Sequence, residues 1–224
     1  MDNVKAIFFD FDNTLGNRYE YSRECFRHLI MEFLPEIDPD SLLFASMLHD
    51  FTVFDQYGDA GHNRSILDRI EKRYNVKIAI DDYYDWWRKN QYKYVCLFDD
   101  AVDTLNKLKK KYKIGIITNG HSTTQWNKIC GSGIQDMFDL IVVSGDINIH
   151  KPDPCIYQYS CDMLGLKPEE CVYVGDNFFR DIYGAQKAGL KTVWIWVPQQ
   201  DYSDYPVTRI HKLSELLEIF PVES

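Results

Sequence analysis

A chain of 224 residues, 45% of them hydrophobic, is long enough for one large α/β domain or for a core with a smaller insert. Its formal charge of −9 is wrong for a general partner of nucleic-acid polymers or anionic membranes, though it leaves room for a local cationic pocket. No apolar run approaches the ~20 residues of a membrane-spanning helix, and no basic stretch with a small-residue cleavage site opens the chain. A cytoplasmic protein without leader or anchor is therefore expected.

The first element follows at once. Residues 6–17 read AIFFDFDNTLGN, and the apolar run predicts a buried strand over 4–10. Asp10 and Asp12 stand at its end on either side of Phe11. Carboxylates rarely follow a core strand so closely without a neutralising partner. The next segment, 18–95, has helical periodicity: Phe26, Ile30 and Phe33 share one face, Ile66, Ile70 and Tyr74 another, and Tyr84, Trp87, Gln91 and Tyr94 a third. This predicts an α-helical domain, 17–96, inserted into a core made of 1–16 and 97–224, with hinges at Gly16-Asn17 and Phe98-Asp99-Asp100. Phe51, Phe54, Tyr57, Tyr83, Tyr84, Trp86 and Trp87 would chiefly pack its interior, and one or two could face a substrate. Phe51 to Arg64 reads as a loop with Gly58 and Gly61 at mobile tips, and Arg64 as one half of a surface salt bridge.

Beyond the insert, strands are predicted at 113–118, 139–144, 171–175 and 191–197, each nearly all apolar, as in a sheet buried on both faces. Helical patterns lie between and after them. Ala101, Leu105 and Leu108 share a face in 100–111; Ile156, Ser160 and Met163 share one in 153–164; two more patterns cover 180–188 and 213–220. Strand–helix alternation of this kind predicts a doubly wound parallel α/β sheet of Rossmann-like type. The six cysteines, Cys25, Cys96, Cys130, Cys155, Cys161 and Cys171, form no C-x-x-C pair and are read as reduced core thiols; the ligand spacing of a structural zinc site is absent.

In an open parallel sheet, ligands bind outside the carboxyl ends of the strands. Those ends carry Asp10 and Asp12, then Thr118, Asn119 and Gly120, then His150-Lys151-Pro152, then Gly175-Asp176, with Asp181 close behind. Carboxylates, a lysine, a hydroxyl and a glycine-permitted backbone converging on one spot suit a Mg²⁺ ion held by oxygens beside a phosphate. No G-x-G-x-x-G follows the first strand, which disfavours a dinucleotide site.

The segments D-F-D-N-T (10–14), T-N-G (118–120), H-K-P-D-P (150–154) and G-D-N-F-F-R-D (175–181) resemble the four motifs of the haloacid dehalogenase superfamily in order and spacing. The insert resembles the helical cap that one branch carries between motifs one and two. The T-N-G form and the insert length are similar to phosphatases of nucleoside monophosphates or sugar phosphates. The resemblance implies a Mg²⁺-dependent phosphatase for a small-molecule phosphate ester, monomeric or homodimeric. It makes Asp10 the nucleophile that becomes an aspartyl-phosphate, and Asp12 the general acid and then base. Asp10, the Asp12 backbone carbonyl and Asp176 would bind the metal, and Asp181 would orient a metal-bound water or else cap the following helix. Thr118 and the Asn119 backbone N–H would hold phosphate oxygens, and Lys151 would supply positive charge to both phosphate and Asp10. A 2-haloacid dehalogenase would share the nucleophile but need neither Asp12 nor Asp176. A phosphomutase is not separated from a phosphatase by these residues. A non-catalytic binder would be favoured by loss of Asp10, Asp12, Lys151 or Asp176, and none is lost.

Overall fold

Ala6–Phe9 forms the first strand, β1, and all four of its residues are buried. The computed structural model describes residues 3–55, 64–195 and 205–222. The chain divides into two compact units, Met1–Gly16 with Leu97–Ser224, and Asn17–Cys96.

The Asn17–Cys96 unit contains α1 (Arg18–Phe33), α2 (Leu42–Asp55), α3 (Ser65–Tyr74) and α4 (Tyr83–Asn90). Asn17 starts α1 by accepting a hydrogen bond from the Glu20 amide, the usual role of a short polar side chain at that position. Phe26 and Ile30 of α1 enter a core with Phe51, Ile66, Ile70 and Trp87. The Phe26 ring lies 4.8 Å from Phe51 and 4.7 Å from Trp87, centre to centre.

Four of the insert's aromatics, Phe51, Phe54, Tyr83 and Trp87, are buried, and Trp86 packs at the cluster's edge. Tyr84, expected inside, is 41% exposed. Because α4 begins at Tyr83, the inward pair is Tyr83 and Trp87, four residues apart. The expected loop over 51–64 is also corrected in its first part: α2 continues through Phe51–Asp55, carried by the apolar run that precedes it. Tyr57, Gly58 and Gly61 lie outside the described residues. Arg64 pairs with Asp68 at 3.1 Å and Glu71 at 2.7 Å. Arg18 and Asp55 form a buried ion pair.

Asp50 ties α2 to α3. It accepts hydrogen bonds from the Tyr74 hydroxyl at 2.7 Å and the Arg73 guanidinium at 2.6 Å. Burial pushes its carboxyl upward, but those two bonds pull it further the other way, below the ordinary value of 3.8. A depressed carboxylate contributes stability above its ordinary value and loses it as pH falls through the lowered one. Asp50→Asn is therefore expected to cost about 2 kcal/mol in urea unfolding at neutral pH. The difference from the parent should shrink to nothing in acid; a difference that persists there would mean that the charge is not responsible.

The other unit continues with α5 (Ala101–Leu108), β2 (Lys113–Thr118), α6 (Ser122–Gly131), β3 (Leu140–Val143), α7 (Ser144–Ile147) and α8 (Pro154–Met163). After β4 (Cys171–Gly175) comes a π-helical turn, Phe178–Tyr183, then α9 (Gly184–Lys187), β5 (Lys191–Ile195), β6 (Thr208–Ile210) and α10 (Leu216–Ile219). The strands form a parallel sheet in the order β3-β2-β1-β4-β5-β6. Chain order reverses on either side of β1 and β4, the place where doubly wound sheets open a crevice. Register aligns the strand ends there, with Phe9 opposite both Ile116 and Val174.

Several elements depart from the sequence expectation. The strand of 4–10 shortens to Ala6–Phe9, and the helix of 180–188 becomes the π-helical turn followed by α9. Ile156 and Ser160 are buried, but Met163 is 56% exposed, because it is the last residue of α8 and lies past the helix's cover. α6 was not foreseen, since STTQWNKICG has little apolar periodicity, and neither was the three-residue β6. All six cysteines are unpaired, but only Cys25, Cys161 and Cys171 are buried; Cys96 is half-buried, while Cys130 and Cys155 are exposed. Among the described residues no helix is long and apolar enough to cross a membrane.

Candidate active site

The site begins where β1 runs out. The Asp10 amide continues the sheet by donating to the Val174 carbonyl at 2.9 Å, so its carboxylate leaves the ladder at a fixed point. Phe11 is fully buried. Its carbonyl accepts from the Leu15 and Gly16 amides at 3.0 and 2.8 Å, closing the turn. Asn13 takes the left-handed conformation in that turn, with φ of 60°, one that Asn tolerates better than most residues.

Lys151 is the centre of the first group. Its ammonium lies 2.8 Å from Asp10, 2.7 Å from Asp181 and 2.8 Å from the Tyr173 hydroxyl. A lysine has three N–H donors, and each has a partner here. The Asn119 side chain holds the lysine's backbone from both directions: its amide donates to the Lys151 carbonyl at 2.9 Å, and its carbonyl accepts from the Lys151 N–H at 2.8 Å. Tyr173 in turn donates to the Ile117 carbonyl at 2.7 Å.

Asp176 follows β4 and is buried. Its backbone carbonyl accepts from the Trp194 indole at 2.7 Å. Asp181 is fully buried inside the π-helical turn and also accepts from the Asn177 amide at 2.9 Å. It does not cap α9, which follows Tyr183 without a side-chain cap; the π-helical turn in which it lies is capped by Asn177, accepting from the Arg180 amide. Gly175 makes the approach possible, since a Cβ there would lie 2.5 Å from the Asp181 carboxyl. Asp10, Asp176 and Asp181 each bring a carboxylate oxygen within 4.8 Å of the others.

Three buried carboxylates face one ammonium. Burial pushes the Asp10 carboxyl up; Lys151 draws it down, Asp181 and Asp12 raise it again, and the balance lies at about 6. Burial, then Asp181 and Asp10, hold Asp176 well above the ordinary carboxylate range. Burial alone would discharge Lys151, but Asp10 and Asp181 more than restore it and raise its value. The donor set is all oxygen, with negative charge in excess of what the lysine neutralises. That chemistry fits a hard dication such as Mg²⁺.

The second group surrounds Asp12. Its carboxylate is half-buried and lies 2.5 and 2.7 Å from the Lys128 ammonium. Lys128 is buried. Gln125 of the same helix, α6, donates to the Thr118 hydroxyl at 2.5 Å and to Asp12 at 3.4 Å. The turn from β2 into α6 leaves room for this. Gly120 sits at φ of +152°, and a Cβ on it would lie 2.8 Å from the Gln125 side chain.

The fold thus bonds Lys151 to Asp10 and Asp181, brings Asp176 within 4.8 Å of both carboxylates, and places Thr118 beside Asp12 through Gln125. Asn119 contributes its side chain to the lysine's loop. Sequence reasoning missed Lys128, Gln125 and Tyr173. A tyrosine in the apolar run CVYVG carried one available signal, because a buried hydroxyl needs a partner. Lys128 and Gln125, three apart, offered none without the helix that carries them.

The family of haloacid dehalogenase-like hydrolases matches residues 7–195, so the chain belongs to that family. The glyceraldehyde 3-phosphate phosphatase of Pyrococcus furiosus is 30% identical, over 97% of this chain and 95% of that one. The N-acylneuraminate-9-phosphatase of Homo sapiens is 32% identical, over 87% of this chain and 84% of that one. With relatives of this kind the chain is a hydrolase, a phosphatase. A magnesium-bound HAD hydrolase from Bacillus subtilis superposes with a TM-score of 0.81 at 22% identity, covering 99% of this chain and 100% of that one. That likeness speaks for the fold.

Proposed function

We propose that this phosphatase is Mg²⁺-dependent and hydrolyses a small phosphomonoester of the sugar-phosphate kind through an aspartyl-phosphate on Asp10. The observation that carries the reading is the gathering of Asp10, Asp176 and Asp181 about Lys151 at the ends of β1 and β4. The named relatives act on glyceraldehyde 3-phosphate and N-acylneuraminate 9-phosphate, which favours sugar phosphates over nucleoside monophosphates as the first class to test. The unit 1–16 with 97–224 would be catalytic, and 17–96 the cap. Six unpaired thiols support a reducing, cytoplasmic setting.

Asp10, Asp176 and the backbone carbonyl of Asp12 would hold Mg²⁺. When bound, the ion would neutralise excess carboxylate charge and draw electron density from the phosphoryl group. Asp181 accepts from the Lys151 ammonium at 2.7 Å and so helps to hold it beside Asp10. In the first step an Asp10 oxygen bonds to phosphorus as the bond to the leaving oxygen breaks, and Asp12 gives that oxygen its proton. In the second, Asp12 takes a proton from water as the water oxygen bonds to phosphorus. The bond from Asp10 to phosphorus then breaks and inorganic phosphate departs. Thr118 and the Asn119 N–H would hold phosphoryl oxygens throughout, in a setting whose charges are already in place.

The testing experiment is phosphate release from a panel of sugar phosphates, nucleoside monophosphates and an aryl phosphate, with Mg²⁺ and with chelator. Metal-dependent release is expected, with sugar phosphates ranking first. No release from any member by well-folded protein would overturn the reading.

A further inference from the structure

α6 carries two polar side chains into the interior that none of the four motifs includes. Lys128 is 2% exposed, and burying an ion pair is seldom a net gain in stability over packing apolar groups of the same volume. Stability therefore does not explain why this lysine lies beneath the site with both Asp12 oxygens within hydrogen-bond reach. Gln125 is also 2% exposed. An ionised carboxylate only accepts, so the Gln125 group facing Asp12 is its NH₂. The same nitrogen donates to the Thr118 oxygen. Thr118 then accepts from Gln125, and its own O–H proton is directed elsewhere, as an anion-binding hydroxyl requires.

We propose that Lys128 and Gln125 are positioning residues of this reaction. Lys128 fixes the Asp12 carboxyl in place and stabilises the carboxylate left once its proton has gone to the leaving oxygen, the form that then takes a proton from water. Gln125 sets Thr118 as a donor to the phosphoryl group. One helix thereby coordinates the proton-transfer group with the phosphate-holding group. The inference rests on the acid–base reading of Asp12 given above.

The test compares an alkyl phosphate, whose leaving oxygen needs a proton, with an aryl phosphate, whose leaving oxygen departs without one. The parent is measured beside Asp12→Asn, Lys128→Met, Lys128→Arg and Gln125→Leu, each checked for folding by circular dichroism. Asp12→Asn is expected to lower kcat on the alkyl ester by about 10²-fold or more, and far less on the aryl ester. Lys128→Met should reproduce that split at roughly tenfold or greater, with KM nearly unchanged. Lys128→Arg, which keeps the cation, should recover part of the alkyl rate. Gln125→Leu should raise KM and weaken inhibition by inorganic phosphate, without altering the alkyl-to-aryl ratio.

Equal losses on both esters for Asp12→Asn would overturn the acid reading and this inference with it. A split for Asp12→Asn with equal losses for Lys128→Met would overturn the positioning role of Lys128 alone. If Lys128→Met does not fold, Lys128→Arg decides: a loss selective for the alkyl ester supports the inference, and equal loss on both esters overturns it.

Discussion

Asp10→Asn should stop phosphate release, lowering kcat by about 10⁴-fold or more on every ester, the aryl phosphate included. The amide matches the carboxylate in shape and keeps an oxygen that can accept from Lys151, now at 2.8 Å from Asp10, but it lacks the charge to attack phosphorus. Aryl and alkyl esters should fall together, because neither leaving oxygen is displaced unless Asp10 bonds to phosphorus. The fold should not suffer. With its carboxyl pushed up to about 6, chiefly by burial, ionised Asp10 works against the metal-free folded state. A raised carboxylate contributes its full stability below the ordinary value of 3.8 and loses it as pH rises through about 6. The variant should lack this loss and melt no lower than the chelated parent at pH 7 to 8 (roughly, the range above that transition). Retention of more than about a tenth of the parent rate would remove Asp10 from its assigned role.

The second large effect concerns magnesium and Asp176. Adding Mg²⁺ at about 100 times its dissociation constant should stabilise the chelated parent by about 2.7 kcal/mol. For a chain of this size that is roughly 5–10 °C in melting temperature. Asp176→Asn should reverse the pattern. Burial and the neighbouring Asp181 and Asp10 hold the Asp176 carboxyl well above its ordinary range, so neutralising it should raise the metal-free melting temperature. It should also remove most of the response to Mg²⁺, along with activity. A parent whose melting point ignores Mg²⁺ across millimolar concentrations (about the range of weak carboxylate sites) would count against the ion. An equal response in Asp176→Asn would place the ion elsewhere.

The sheet was legible because its strands lie in a parallel sheet and are nearly all apolar; KIGIIT and CVYVG were placed residue for residue as β2 and β4. The acids were legible for the opposite reason, since Asp10 and Asp176 interrupt apolar runs where strand ends meet a crevice. What could not be read was anything that depends on side chains from a helix with weak periodicity. Lys128 has no local cue to its burial, and its partner Asp12 is 116 residues away in sequence. Tyr84 illustrates a smaller failure: neighbouring aromatics at 83 and 84 share one helical pattern, and only the start of α4 decides which turns inward. The π-helical turn escaped because a single widened turn leaves no apolar period of its own; the bonds that Asp181 makes from it, to Lys151 and the Asn177 amide, are equally invisible in such a pattern.

The chain leaves the β1 loop at Gly16 and returns at Leu97, and these two residues pair in an antiparallel bridge, with the Phe98 amide donating to the Leu15 carbonyl at 3.0 Å. To the sheet, everything between is a single closed loop with adjoining ends. The entropy of closing such a loop grows only with the logarithm of its length, so doubling the inserted segment would cost the sheet about 0.6 kcal/mol. Segments of very different size and shape could therefore be exchanged at this seam by recombination, with the strand that carries Asp10 left in register.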